Sequence, residues 1–120
     1  MIRRWLAAAT FVALVLACAS PTLPLPPPEA PAVETVDATH VNLVAGCGGA
    51  LPTATINVAN QGPNGQGDPD PTYPGQVGSQ AMVSQCGSWQ LKVYARAGDN
   101  LMITQVSDNE VSLPVYVAVQ

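Results

Sequence analysis

The sequence predicts a small all-β domain, an antiparallel sandwich of about six to seven short strands, carried behind an export signal and a proline-rich tether. Three observations lead there. From His40 onward, apolar and polar residues alternate over short runs. Those runs are separated by clusters of Gly, Pro, Asn and Asp, which supply turns. No segment repeats apolar residues at the helical period of about 3.6 over ten or more positions.

The chain divides into residues 1–17, 18–36 and 37–120. Met1 to Trp5 is a short start carrying Arg3 and Arg4, followed by the uncharged, largely apolar run Leu6 to Ala17. As a helix rising about 1.5 Å per residue, that run falls short of a hydrocarbon core about 30 Å thick. It reads as a signal peptide, not a transmembrane span. Val15-Leu16-Ala17-Cys18 resembles the lipobox of bacterial lipoproteins, although Leu16 is bulkier than that pattern prefers. The resemblance implies lipidation of the Cys18 sulfur and cleavage before it, with acylation of the new amino group. Ala17-Cys18-Ala19 also fits an ordinary A-x-A cleavage site, so cleavage after Ala19 stays open as a rival. In a cell with an outer membrane, Ala19 after the modified cysteine implies sorting to that membrane.

Ala19 to Val36 holds six prolines, at positions 21, 24, 26, 27, 28 and 31. Such a tract favours extended polyproline II, and at about 3.1 Å per residue it would hold a domain some 50 Å from its anchor. The strands follow in order. His40 to Ala45 sets Val41, Leu43 and Ala45 on one face, and Ala54 to Ala59 sets Ala54, Ile56 and Val58 on one face. Gln80 to Gln85 is weaker. Trp89 to Arg96 is the clearest, with Trp89, Leu91, Val93 and Ala95 inward and Trp89 as the core's anchor. Leu101 to Val106 and Leu113 to Val119 close the domain. Between the second and third strands runs a long loop, Gly62 to Gly78, whose prolines and glycines suit neither a central ladder nor a core.

The three cysteines sort by elimination and by counting reversals. Lipidation or removal of Cys18 disposes of the odd one. If the chain reverses at each turn, the Gly46–Leu51 turn and the Cys86–Ser88 turn lie at the same end of the domain, opposite the long loop. Cys47 and Cys86 therefore meet, and export permits a disulfide between them.

Charge excludes whole classes of function. Removing the signal leaves Lys92 and Arg96 against eight acidic residues, a net charge of about −6. A chain so poor in cations does not bind nucleic acid, and it has no polybasic patch for anionic lipid, so the expected membrane link is the covalent one at Cys18. His40 is the only histidine, and one histidine without a free cysteine does not make a zinc site of the usual kind. Ser79, Ser84 and Ser88 lack a Gly-x-Ser-x-Gly elbow, and no cofactor is expected. Asp68 with Asp70 in the long loop, and Asp108 with Glu110 around Asn109, are acidic pairs of the sort calcium uses, though neither has EF-hand spacing. Tyr73 in the long loop, with Tyr94 and Tyr116 on outward strand positions, are candidates for contact with a partner.

From His40 on, the chain resembles the bacterial immunoglobulin-like domains of surface proteins. The resemblance is carried by Val41 to Gly46, Ala54-Thr55-Ile56-Asn57-Val58-Ala59-Asn60, Gly87-Ser88-Trp89-Gln90-Leu91, Ala97-Gly98-Asp99-Asn100-Leu101 and Val111-Ser112-Leu113-Pro114-Val115-Tyr116-Val117. It implies a sandwich fold placed outside the cytoplasm and no catalytic residues. The Cys47–Cys86 pair, the single copy and the long Gly/Pro loop depart from the family pattern. The expectation is thus a non-catalytic, lipid-anchored envelope protein whose disulfide-stapled module serves a structural role or binds an envelope protein or glycan, at the cell surface or in the periplasm. A calcium- or small-molecule-binding lipoprotein using Asp68 and Asp70 is the alternative.

Overall fold

A computed structural model describes residues 23–72 and 78–120. The signal peptide, Cys18 and Tyr73 lie outside these residues. Eight strands form: β1 (Ala32–Asp37), β2 (His40–Ala45), β3 (Thr55–Asn60), β4 (Gly78–Met82), β5 (Trp89–Tyr94), β6 (Asn100–Ser107), β7 (Glu110–Val111) and β8 (Val115–Ala118). All pairings are antiparallel. One sheet has three strands in the order β1-β2-β5, and the other has five, running β4-β3-β6-β7 with β8 also paired to β6.

The alternation along each strand places the core. Val41, Leu43, Trp89 and Val93 from the smaller sheet meet Ile56, Val58, Leu101 and Ile103 from the larger, and all eight are buried. This is a β-sandwich-like arrangement with the apolar faces turned toward each other. Trp89 is the large inward group expected of it, 4% exposed, with its Nε1–H finding no acceptor among the described residues.

Two strands were not foreseen. β1 occupies Ala32–Asp37, within the stretch read as tether, and pairs with β2 from Ala32↔Val44 to Asp37↔His40. Its residues are exposed except for half-buried Val33, so it carries almost no inward periodicity. Its existence is decided by the free edge that β2 offers. β7 forms a tight hairpin with β6 through Asp108 and Asn109, which have φ of 51° and 63°. Asp and Asn tolerate this left-handed region, and two such residues in succession make the I′ turn that joins twisted strands.

The proline-rich segment before β1 is also not free. Pro28 and Pro31 are buried. Leu25 O accepts from Leu113 N, Pro26 O accepts from Gln105 Nε2, and Glu29 N donates to Gly49 O. The organising residue is Gln105, 2% exposed, at an inward position of β6. Its Oε1 accepts from Leu51 N at 2.8 Å while its Nε2 donates to Pro26 O at 2.9 Å. Ser112 Oγ caps its backbone N–H. The extended spacer expected over residues 19–36 is therefore docked from Leu25 onward, because the backbone groups of Leu25, Pro26 and Glu29 find partners on the domain.

Two connections at one end of the domain cross between sheets: β2 to β3, and β4 to β5. The Cys47–Cys86 disulfide joins them, with Cα atoms 4.9 Å apart. Gly48 N donates to Cys86 O and Ala50 N to Gly87 O, so backbone bonds run beside the bridge. Gly87 has φ of +88°, and a Cβ there would lie 2.5 Å from Ala50 O. Only glycine fits this close approach.

Two outcomes follow. Replacing both cysteines (Cys47→Ser with Cys86→Ser) opens a loop with a sequence separation of 39. The expected loss is about 4 kcal/mol, or roughly 15–30 °C in Tm; an unchanged melting curve would count against this role. Gln105→Ala strands Pro26 O and Leu51 N and leaves a void, costing about 2–4 kcal/mol. Hydrogen exchange at the Leu51 amide should then accelerate more than at Ile103.

Candidate functional site

At the end opposite the disulfide, β3 leads into the long loop and β5 crosses to β6. The inward alternation of β3 finishes on Asn60, which is buried, and Asp99 beside it is 2% exposed. Asn60 Nδ2 donates to Asp99 Oδ2 at 2.9 Å and to Tyr94 O at 3.0 Å, while its Oδ1 accepts from Gly62 N. Asp99 Oδ2 also accepts from Arg96 N. Buried polar groups are tolerable only when paired in this way.

Arg96 carries the network outward to the loop. Its Nε and Nη2 clamp the two oxygens of Asp68 at 2.9 and 2.8 Å, a bidentate fork. The loop was expected to hold nothing that packs, yet the Asp68 side chain is only 9% exposed. The Arg96 fork holds the Asp68 carboxyl below the usual carboxylate range, against the opposing effect of burial. Of the acidic pair proposed for calcium, Asp68 thus has both oxygens committed to Arg96, and Asp70 Oδ1 accepts from Thr72 N in a local turn. Among the described residues no group of three or more His, Cys, Asp or Glu side chains is disposed to hold a metal ion. Of the second acidic pair, Asp108 is the first central residue of the I′ turn described above and Glu110 follows that turn on β7.

Beside this cluster lies a concavity of about 420 Å³ along the open edge where β4 faces β5, lined among others by His40, Asn60, Asp68, Asp70, Lys92 and Tyr94. Tyr94 is half-buried rather than free on the surface, with His40 set edge-on at a ring-centroid distance of 5.8 Å. His40 Nδ1 lies 3.1 Å from Asp37 Oδ1. The backbone N–H of Thr39 and then the His40 ring hold Asp37 down to about 2. Ser84 and Ser88 bond each other at 2.7 Å near the disulfide. Ser79 lines the concavity on β4.

Tyr116 stands elsewhere, 53% exposed on the outer face of the larger sheet. The register arranges that face in rows. Met82, Thr55, Val106 and Val111 form one; Gln80, Asn57 and Thr104 the next; Gly78, Ala59, Met102 and Tyr116 the third. None of these residues is charged, although the chain carries eight acidic side chains. A shallow trough of about 460 Å³ runs over Gly78 and Ala59, bordered by Asn57, Gln80, Met102 and Thr104.

The structure thus separates the tyrosines singled out from sequence, placing Tyr94 in one concavity and Tyr116 on another face. Sequence reading passed over Asn60, Asp99, Gln105 and the Gln80–Asn57–Thr104 row. A signal existed for Asn60 and Gln105, since each is a polar residue at the inward position of its strand, where only a paired group is stable. Comparison with family models, with curated proteins and with solved structures returns no match.

The Asp68–Arg96 pair sets an expectation for acid stability. A carboxyl whose folded pKa is depressed contributes fully above its unfolded value of about 4 and loses that contribution as pH falls through the folded value. Arg96 remains charged throughout. Tm of the wild type should therefore fall as pH drops below about 4, and Asp68→Asn should flatten that decline. Parallel curves for the two proteins would refute the assignment.

Proposed function

We propose that this chain is a non-catalytic envelope lipoprotein, exported by residues 1–17, anchored through Cys18 and displaying an immunoglobulin-like module to a partner. The observation that carries the reading is the Cys47–Cys86 disulfide. Such a bridge fits an exported protein and is rare in reducing compartments, which agrees with the signal-like start. The strand order supports the immunoglobulin-like assignment: β1-β2-β5 faces β4-β3-β6, with β8 beside β6, as in sandwiches whose consecutive strands change sheet at the ends.

Docking of the chain from Leu25 onward sharpens the picture of the anchor. Only residues 19–24 then separate the lipidated cysteine from the module, a reach of at most about 21 Å. The module sits close to the membrane surface, and its uncharged sheet face is the part offered to a partner. A mature chain whose only cations are Lys92 and Arg96 has no polybasic patch for anionic headgroups, which leaves that face open.

The test is metabolic labelling with a radiolabelled fatty acid in bacteria expressing the full chain, followed by fractionation. Wild-type protein should carry label and sediment with membranes. Cys18→Ser should carry none and appear in the soluble exported fraction. Labelled Cys18→Ser, or wild-type protein in the cytosol, would overturn the proposal.

A further inference from the structure

We infer that the outer face of the five-stranded sheet binds a neutral glycan chain, seated along the trough over Gly78 and Ala59 with Tyr116 as its stacking platform. This takes up the exported-module reading, on which access to such glycans rests, and names the chemical class of the partner.

Charge gives the first argument. The rows of this face contain Thr, Asn, Gln, Met, Val, Ala, Gly and Tyr, and no ionisable carboxylate, ammonium or guanidinium. A face without cations gives an anionic polymer no anchor, and one without anions gives a basic peptide none. The matching ligand is uncharged.

Hydrogen bonding gives the second. Gln80, Asn57 and Thr104 lie side by side across three strands. With strands about 4.8 Å apart, the row spans about 10 Å, of the order of a disaccharide. The two amides and the hydroxyl each both donate and accept, as a polyhydroxylated ligand requires. Asn57 Oδ1 is buried and accepts no hydrogen bond among the described residues. An unsatisfied acceptor of this kind is costly; Asn57 borders the trough, and rotation of its amide toward the trough would bring the acceptor to a ligand hydroxyl.

Shape gives the third. Ala59 pairs with Gly78 on one side and Met102 on the other, so the smallest side chains line the trough, the larger Met102 borders it, and Tyr116 stands one strand beyond Met102 on the same row. Tyr116, on β8 and paired with Met102, offers an apolar ring face and a polar hydroxyl together. A second copy of the chain fits less well. It would bury the amide row at the centre of a dry interface, where each unmatched group costs binding energy.

The test is native affinity electrophoresis of the full chain in mild non-ionic detergent. The gels contain hydroxyethylcellulose, galactomannan or soluble starch as neutral polymers, and alginate as an anionic one. At least one neutral polymer should retard the protein, and alginate should not. Tyr116→Ala and Gln80→Ala, both at exposed positions, should each weaken retardation at least about tenfold, and Asn57→Ala should act in the same direction. Thr35→Ala on the opposite sheet should behave as wild type. Melting curves establish that each variant is folded.

The inference is overturned if no neutral polymer retards the protein, or if alginate retards it equally. It is also overturned if the Tyr116 and Gln80 variants are retarded like wild type, or if sedimentation shows a dimer that Tyr116→Ala disperses while no polymer is bound. Failure of lipid labelling at Cys18 with retardation intact would strike the anchor alone. Labelling without retardation would strike the glycan site alone.

Discussion

Everything in this fold depends on two sheet-to-sheet crossovers being held together at one end. β2 to β3 and β4 to β5 carry the chain from one layer to the other, and the Cys47–Cys86 bridge ties them covalently. The backbone bonds at Gly48 and Ala50 extend the tie, and Gly87 permits it because any side chain there would strike Ala50 O. With the crossovers fixed, β3 and β5 start from adjacent points in opposite layers, and their inward residues have no choice but to face one another. A small sandwich has little apolar area to enforce such an arrangement unaided, so a covalent constraint on the unfolded chain has a large effect.

The remaining openings of the sandwich are closed by polar groups rather than apolar ones. Asn60 and Asp99 fill the end opposite the disulfide, and Gln105 fills the disulfide end, where Leu51 and Pro26 approach it. These side chains act as cross-members between segments distant in sequence. Their hydrogen bonds are directional, so they fix the relative placement of loops in a way that methyl groups cannot. The Arg96–Asp68 fork extends the same principle to the long loop, drawing a glycine- and proline-rich excursion back onto the domain. Much of what looks from composition like free surface is thereby docked.

Among the described residues, that docking leaves one broad surface uncovered, the outer face of the larger sheet. Acidic groups lie at Glu29 in the docked proline segment, on turns, on β1, at Glu110 on β7 and around Arg96, while the rows through Asn57 and Ala59 carry no charge. A solvent-exposed sheet face in an acidic protein is ordinarily laced with charge. Its absence here, together with exposed Met82, Val111 and Tyr116, marks a surface suited to contact. The proposed lipid anchor and the short reach from it would set that surface near the membrane.

The sequence by itself determined the all-β class, the inward residues of the strands at 40–45, 54–59 and 89–96, the anchoring role of Trp89 and the meeting of Cys47 with Cys86. These follow from a local period of two and from counting chain reversals, and both are properties of neighbouring residues. Only the tertiary structure decided that Ala32–Asp37 is a strand, since exposed β1 has no period of its own and takes its form from the edge of β2. It alone decided that the proline segment docks, that Asp68 is buried, and that Tyr94 and Tyr116 serve different surfaces. Each of these rests on a partner far along the chain: Gln105 for Pro26, Arg96 for Asp68, Met102 for Tyr116. A polar side chain shows in the sequence that it needs a partner when it falls at an inward position, as Asn60 and Gln105 do. Which group answers it depends on how the two sheets are stacked, and that is settled only when the whole chain folds.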